Sequence, residues 1–163
     1  MTLIVRPAEL ADVAAICAIG QAAWPSTYAF AGQEYVDHGL ATWWSPEAVT
    51  RSLATTTTLV AERDGSVAGM GNVDLRPEVP VIWKLYVRPD HQGHGVGSAL
   101  LRRLVASVPA GRRSVAIEYA DGNDRAAAVY ARHEFVVVRS EPADRPGWPA
   151  QVWAELPLGD LAE

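Results

Sequence analysis

The 163-residue sequence is 49% hydrophobic and 20% charged, the balance of a single domain with its own core and not of a disordered chain. A net charge of −5 with only 14 Lys and Arg excludes a general nucleic-acid binder, and a lone cysteine, Cys17, excludes an internal disulfide framework. No window approaches the roughly 18 apolar residues of a membrane span, so no membrane partner is expected and the cytoplasm is the default address.

Residues 2–6 (TLIVR) predict a strand. Pro7 opens a helical pattern through Ala22, with Leu10, Val13, Ile16 or Cys17, and Gly20 at helical intervals, that Trp24-Pro25 ends; Cys17 shares a face with Leu10, Val13 and Ala14 and is expected as a buried, unreactive thiol. Residues 33–40 predict a short helix, and Ser45-Pro46-Glu47 supplies a cap, a first-turn proline and an early acid for the next helix, to about residue 54. TTLVAER and SVAGMGNVDL read as strands joined at Asp64-Gly65, a two-residue hairpin turn. A strand at 79–87, a helix at 95–107, a strand at 113–119, a helix at 123–133 and strands at 135–140 and 150–156 complete the order. No repeat or linker divides the chain, which predicts one domain over residues 1–163.

The most informative stretch is LYVRPDHQGHGVGSALLRRL, residues 85–104. Gln92-Gly93-His94-Gly95-Val96-Gly97 falls between strand and helix, where free amides and the positive end of the helix dipole meet a ligand. Glycines let the backbone come close without a Cβ in the way, so a pyrophosphate is the natural guest. A triphosphatase-type phosphate loop would need Lys-Ser/Thr after its last glycine, but Ser98-Ala99 follow Gly97; a dinucleotide fingerprint would need a different glycine spacing.

Gln92, Gly95 and Gly97 fill the pattern Q/R-x-x-G-x-G/A, and IEYADGNDRAAAVYARHEF, residues 117–135, fits N-x-x-A-x-x-x-Y-x-x-x-G-F through Asn123, Ala126, Tyr130 and Phe135. These paired motifs resemble those of the GNAT superfamily of acyl-CoA-dependent N-acyltransferases. The resemblance is strongest over residues 79–136, and the first fifty residues match only in pattern. It implies an α/β (α+β) fold: a mixed, mostly antiparallel sheet of about seven strands with a central splayed parallel pair, flanked by about four helices. It implies acetyl-CoA as cosubstrate, held by main-chain contacts from the strand carrying Leu85, Tyr86 and Val87. The amides of Gln92, Gly93, His94, Gly95, Val96, Gly97 and Ser98 would meet the pyrophosphate, and Asn123, also the cap of its helix, the pantetheine arm. No metal is expected, since His91 and His94 have no third ligand nearby, and Arg102, Arg103 and Arg132 read as solvent-facing charge. Glu134 replaces the family's helix-ending glycine, which predicts either a different helix exit or a strained one costing roughly 1 kcal/mol.

Acyl transfer from a thioester to an amine needs a base for the ammonium and an acid for the departing thiolate. By resemblance Tyr130 is that acid, although Ala126, Val129, Tyr130 and His133 also form a stripe that fits plain core packing. Glu118, twelve residues earlier, matches the base-to-acid spacing of ribosomal-protein alanine N-acetyltransferases. The small neighbours Ser114, Ala116 and Ala120 on its strand face would partly enclose it; the other reading is a solvated strand-end carboxylate. No nucleophilic Cys stands near the motifs, so transfer is expected to be direct. Trp24, Tyr28, Phe30, Tyr35, Trp43 and Trp44, with Glu34, Asp37 and the loop bearing Trp148, either wall a pocket for a primary amine or pack helices onto the sheet. The expected activity is therefore N-acetylation of a primary amine on a small molecule or peptide. A non-catalytic acyl-CoA-binding regulatory module and an enzyme acting on a protein N-terminus are the alternatives. Family members often pair through their closing strands, which keeps a homodimer in view.

Overall fold

A computed structural model describes residues 1–159. Seven strands form one sheet in the order β1-β2-β3-β4-β5-β7-β6: β1 (Leu3–Pro7), β2 (Thr57–Arg63), β3 (Ser66–Asp74), β4 (Val81–Val87), β5 (Ser114–Ala120), β6 (Val136–Glu141) and β7 (Gln151–Pro157). Every neighbouring pair is antiparallel except β4 and β5. Five α-helices cover the two faces: α1 (Val13–Thr27), α2 (Gln33–Trp43), α3 (Pro46–Thr55), α4 (Val96–Ala106) and α5 (Asp124–Arg132). Among the described residues no helix is long and apolar enough to cross a membrane.

Each sheet face has its own core. On one, Val96, Leu100, Leu101 and Leu104 of α4 and Tyr130 of α5 pack on Val73, Ile82, Val115 and Ile117. On the other, Ile16, Ile19 and Trp24 of α1 meet Trp44, Val49, Val60 and Met70. The tryptophans approach backbone where only glycine leaves room: a Cβ on Gly20 would lie 2.1 Å from the Trp44 ring, and one on Gly39 2.0 Å from that of Trp24.

The N-terminal helix departs from the sequence expectation at both ends and in part of the face it buries, of which Ile16 and Gly20 were expected. Pro7 closes β1 instead of opening a helix, a position an edge strand tolerates because a missing N–H there breaks little of the ladder. The helix begins at Val13 after a single 3-10 turn, Leu10–Asp12. Asp12 fixes that start, accepting from the Glu9 amide at 2.7 Å and from both Arg6 Nη atoms at 2.8 and 2.9 Å. Pro25 does not stop the helix, which runs on to Thr27. A proline so near the C-terminus costs one backbone bond, and Trp24 and Tyr28, buried on either side with ring centroids 4.3 Å apart, hold the last turn in place. The buried stripe is Ile16, Ile19, Gly20, Ala23 and Trp24, while Leu10 is 72% exposed and Cys17 half-buried.

The later elements fall where the sequence puts them to within about two residues, except that α2 runs on to Trp43, three residues past the expected end. Ser45 caps α3, its Oγ accepting from the Ala48 amide at 3.2 Å, and Asp64 and Gly65 form the hairpin turn with positive φ. Glu134 takes the strained exit: its φ is +71°. The Phe135 amide donates to the Tyr130 carbonyl and the Glu134 amide to that of Ala131, both at 3.0 Å, closing the helix end as a glycine would.

Candidate active site

β4 and β5 pair over only Val81–Ala116 and Ile82–Ile117 and then part. The divergence begins at a bulge. Asn72 pairs with Lys84 and Val73 with Ile82, which leaves Trp83 as an extra residue in β4. Asn72, nearly fully buried, fixes the bulge by accepting the Lys84 amide on its Oδ1 at 2.9 Å. Beyond it the edge of β4 from Lys84 to Val87 stands open toward β5.

On one side of this split lies a cleft of about 510 Å³. Leu85, Tyr86, Val87, Gln92, Gly93, Gly95, Val96, Gly97, Ser98, Asn123 and Tyr130 all line it, so the fold brings together every predicted cofactor residue except His94. Gly93 and Gly95 have φ of +82° and +79°, a backbone conformation that favours glycine, and no neighbouring atom lies within 4 Å of where a Cβ would stand. Gly95 precedes α4, whose first turn holds no acidic residue, so the first amides of the helix keep their partial positive charge. Asn123 caps α5, its Oδ1 accepting the Ala126 amide at 3.2 Å. Ser98 Oγ lies 3.0 Å from His133 Nε2, tying α4 to the end of α5.

Two arginines complete the rim. Arg125 donates to the Gln92 side chain, and Arg132, read from sequence as plain surface charge, also lines the cleft. Arg103 is committed elsewhere, to the Val5 carbonyl at 3.1 Å. The His94 ring turns away: its Nδ1 lies 3.3 Å from Arg63 Nη2, while His91 Nδ1 lies 3.2 Å from Nη1 of the same guanidinium. A guanidinium only donates, so both rings accept on Nδ1, and the two histidines serve as loop anchors. Among the described residues no three of His, Cys, Asp and Glu gather as a metal site would require.

On the other side of the split is a second cleft, of about 560 Å³, walled by Trp24, Tyr28, Tyr35, Trp43, Trp44 and Trp83. The aromatic cluster thus does both things open to it in the sequence: Trp24, Tyr28 and Trp44 are core, and they also form a wall. Glu34 and Asp37 do not line this cleft; Glu34 lies 4.0 Å from Arg145, and Asp37 accepts from Gln33. Trp148 stands outside as well, bracing Tyr35 edge-on with centroids 5.3 Å apart.

Between the clefts a small void of about 20 Å³ is bounded by Tyr28, Lys84, Leu85, Tyr86, Glu118 and Tyr130, each of which also lines one of the clefts or both. Glu118 is half-buried, and loss of solvent, with a lesser push from Glu141, raises its carboxyl from the ordinary 4.5 to about 7. Burial also raises the Tyr130 phenol, so it stays protonated throughout the working range. Lys84 is the residue that sequence reading missed. Its ammonium sits 4.2 Å from the Trp44 ring centroid and donates to the Trp43 carbonyl, and burial lowers it to about 8. The available signal was a single charge inside the otherwise apolar run VPVIWKLYV.

The chain resembles known proteins in both sequence and fold. It is 35% identical over 79 residues to the L-2,4-diaminobutyric acid acetyltransferase of Nocardia farcinica, a match covering 46% of this chain and 41% of the relative. The chain thus matches about two fifths of the length of that curated relative. A GCN5-related N-acetyltransferase from Rhodopseudomonas palustris superimposes with a TM-score of 0.83 at 24% identity, over 97% of both chains. The PaiA N-acetyltransferase of Thermoplasma acidophilum, solved in complex with coenzyme A, superimposes with a TM-score of 0.77 at 17% identity, over 96% of this chain and all of that one. Residues 16–135, which carry both glycine-loop and α5 motifs and most of the two clefts, match the acetyltransferase (GNAT) family, and the chain belongs to it.

Proposed function

We propose that the protein is an N-acetyltransferase that moves an acetyl group directly from acetyl-CoA to the primary amine of a small molecule. The observation that carries this reading is the meeting of two clefts at one void bounded by Glu118 and Tyr130. One cleft has the features an acyl-CoA needs: open glycine backbone and a helix N-terminus for the pyrophosphate, cationic Arg125 and Arg132, and an unpaired strand edge at Leu85 and Val87. The coenzyme A complex of the Thermoplasma relative, and the acetyltransferase activity in the name of the Nocardia one, support the same choice.

Bound acetyl-CoA supplies an activated thioester, and the amine displaces its thiol. An alkyl ammonium with a pKa of about 10.4 is neutral in only about one molecule in 2,500 at pH 7, so a base adds much to the rate. Glu118, raised to about 7, takes that proton before the attack and so frees the nitrogen lone pair; the second proton, which the nitrogen sheds as the C–S bond breaks, passes through solvent to restore the Tyr130 phenol. Tyr130, protonated and adjoining both Leu85 and the void, gives its proton to the departing sulfur. The second cleft, about 560 Å³ and walled by aromatic rings, is of a size that suits a small molecule. Val136, Val137 and Val138 on the edge strand β6, 61, 57 and 49% exposed, support a pairing of two copies through the closing strands.

A thiol-release assay with acetyl-CoA against amines, diamines, amino acids including 2,4-diaminobutyrate, and peptides tests the reading, with products identified by mass spectrometry. Acetylated product from a small amine is the expected result. Acetyl-CoA binding with no product from any acceptor would instead make the protein a binding module.

A further inference from the structure

The second cleft is lined by three cations, Arg51, Arg76 and Lys84, and two acids, Asp74 and Glu118. Asp74 is already engaged: its two oxygens accept from Arg76 Nε and Nη2, each at 2.9 Å, and one also accepts the Arg76 amide at 3.0 Å. Glu118 sits at the other end, beside the void. Among the described residues neither Lys84 nor Arg51 is paired with a carboxylate. The cleft therefore offers spare donors and uncompensated positive charge, and it selects a ligand that brings acceptors and negative charge.

We infer that the acceptor is a short amino acid, a molecule whose reacting amine and carboxylate are separated by a few bonds, and that Lys84 is the residue that reads the carboxylate. This rests on the transfer reaction proposed above. Lys84 and Glu118 lie on β4 and β5, on opposite sides of the split, and both bound the void beside Tyr130. A molecule carrying both a carboxylate and an amine can thus lie across the split, its carboxylate toward Lys84 and its amine toward Glu118. The Lys84 ammonium is held in place by the Trp44 ring and the Trp43 carbonyl, so little ordering remains to be done on binding. Arg51, nearer the solvent, adds positive potential that draws an anionic group in.

The test measures kcat/KM for amino acids and for the same amines without the carboxylate, such as alanine against ethylamine and ornithine against putrescine, across all amino acids and diamino acids. The wild-type enzyme should favour the carboxylate partner of the best pair by about ten- to hundredfold, the loss expected when a charged hydrogen bond goes unmade. Lys84→Met should bring that ratio close to one, and Lys84→Arg, which keeps the charge, should retain most of it. A purely structural Lys84 would lower both members of a pair in proportion and leave the ratio unchanged, which would overturn the inference while the transfer reaction stood. Wild-type preference for carboxylate-free amines would do the same. If no amine at all is acetylated, the transfer reading fails and the inference with it.

Discussion

Glu118 is a carboxyl held where ionisation is unfavourable, and the cost should show in stability as well as in rate. Its folded value of about 7 lies above the ordinary 4.5, so the neutral form fits the folded chain better. The penalty is absent below pH 4.5, grows as pH rises between the two values, and is fully present above pH 7. Glu118→Gln should therefore stabilise the protein by about 1–2 kcal/mol at pH 8 and leave it nearly unchanged at pH 4, as read by urea unfolding. The same change should lower kcat/KM by about 10²-fold and remove the limb of the pH profile that rises through about 7 in the wild type. A profile unchanged by the substitution would pass the base to a water chain. Glu134 offers an independent check. With φ at +71° it occupies the place of a helix-ending glycine, and Glu134→Gly should raise stability by up to about 1 kcal/mol, with the melting temperature as readout. The position was legible because the motif names a glycine there; the strained exit was one of two outcomes open to the sequence, and the Tyr130–Phe135 ring contact, with centroids 6.1 Å apart, is what holds the helix end in that form.

At the scale of elements, the glycine loop keeps its shape through a contact that no motif records. Arg63, the last residue of β2, donates to both His91 and His94 and so pins the loop to the β2–β3 hairpin. Arg63→Met should weaken coenzyme A binding by about five- to tenfold in calorimetry through a less ordered loop, and an unchanged affinity would show the loop to be rigid without it. The pairing joins residues 28 and 31 positions apart, which is why His94 reads from sequence only as one more loop residue. The loop itself was legible because its job falls to backbone, and backbone geometry leaves glycines in the sequence. α1 was misread for the opposite reason. Prolines at 7 and 25 carry strong local preferences, yet an edge strand tolerates the first and the buried pair Trp24 and Tyr28 overrides the second.

Across the whole molecule, function rests on a sheet that fails to close. Seven strands and two cores give a rigid frame, and the Trp83 bulge, fixed by Asn72, opens β4 from β5 at the one place where the two clefts can meet. The succession of strands and helices along the chain was legible in apolar alternation, and most of the lining of the first cleft in two spaced motifs. Of the second cleft, the aromatic walls were legible and the charges were not. Lys84 becomes part of a pocket only when α2 and α3 bring Trp43 and Trp44 over it, and Glu34 and Asp37, plausible in a linear reading, turn outward to other partners. The meeting of the clefts at Tyr130 is tested most directly by kcat of Tyr130→Phe at saturating acetyl-CoA and acceptor. Phe keeps the ring that packs between Tyr119 and Phe135 and removes only the hydroxyl. A loss of about 10²-fold with coenzyme A affinity retained is predicted; turnover equal to wild type would contradict the assignment of Tyr130 as the acid where the two clefts join.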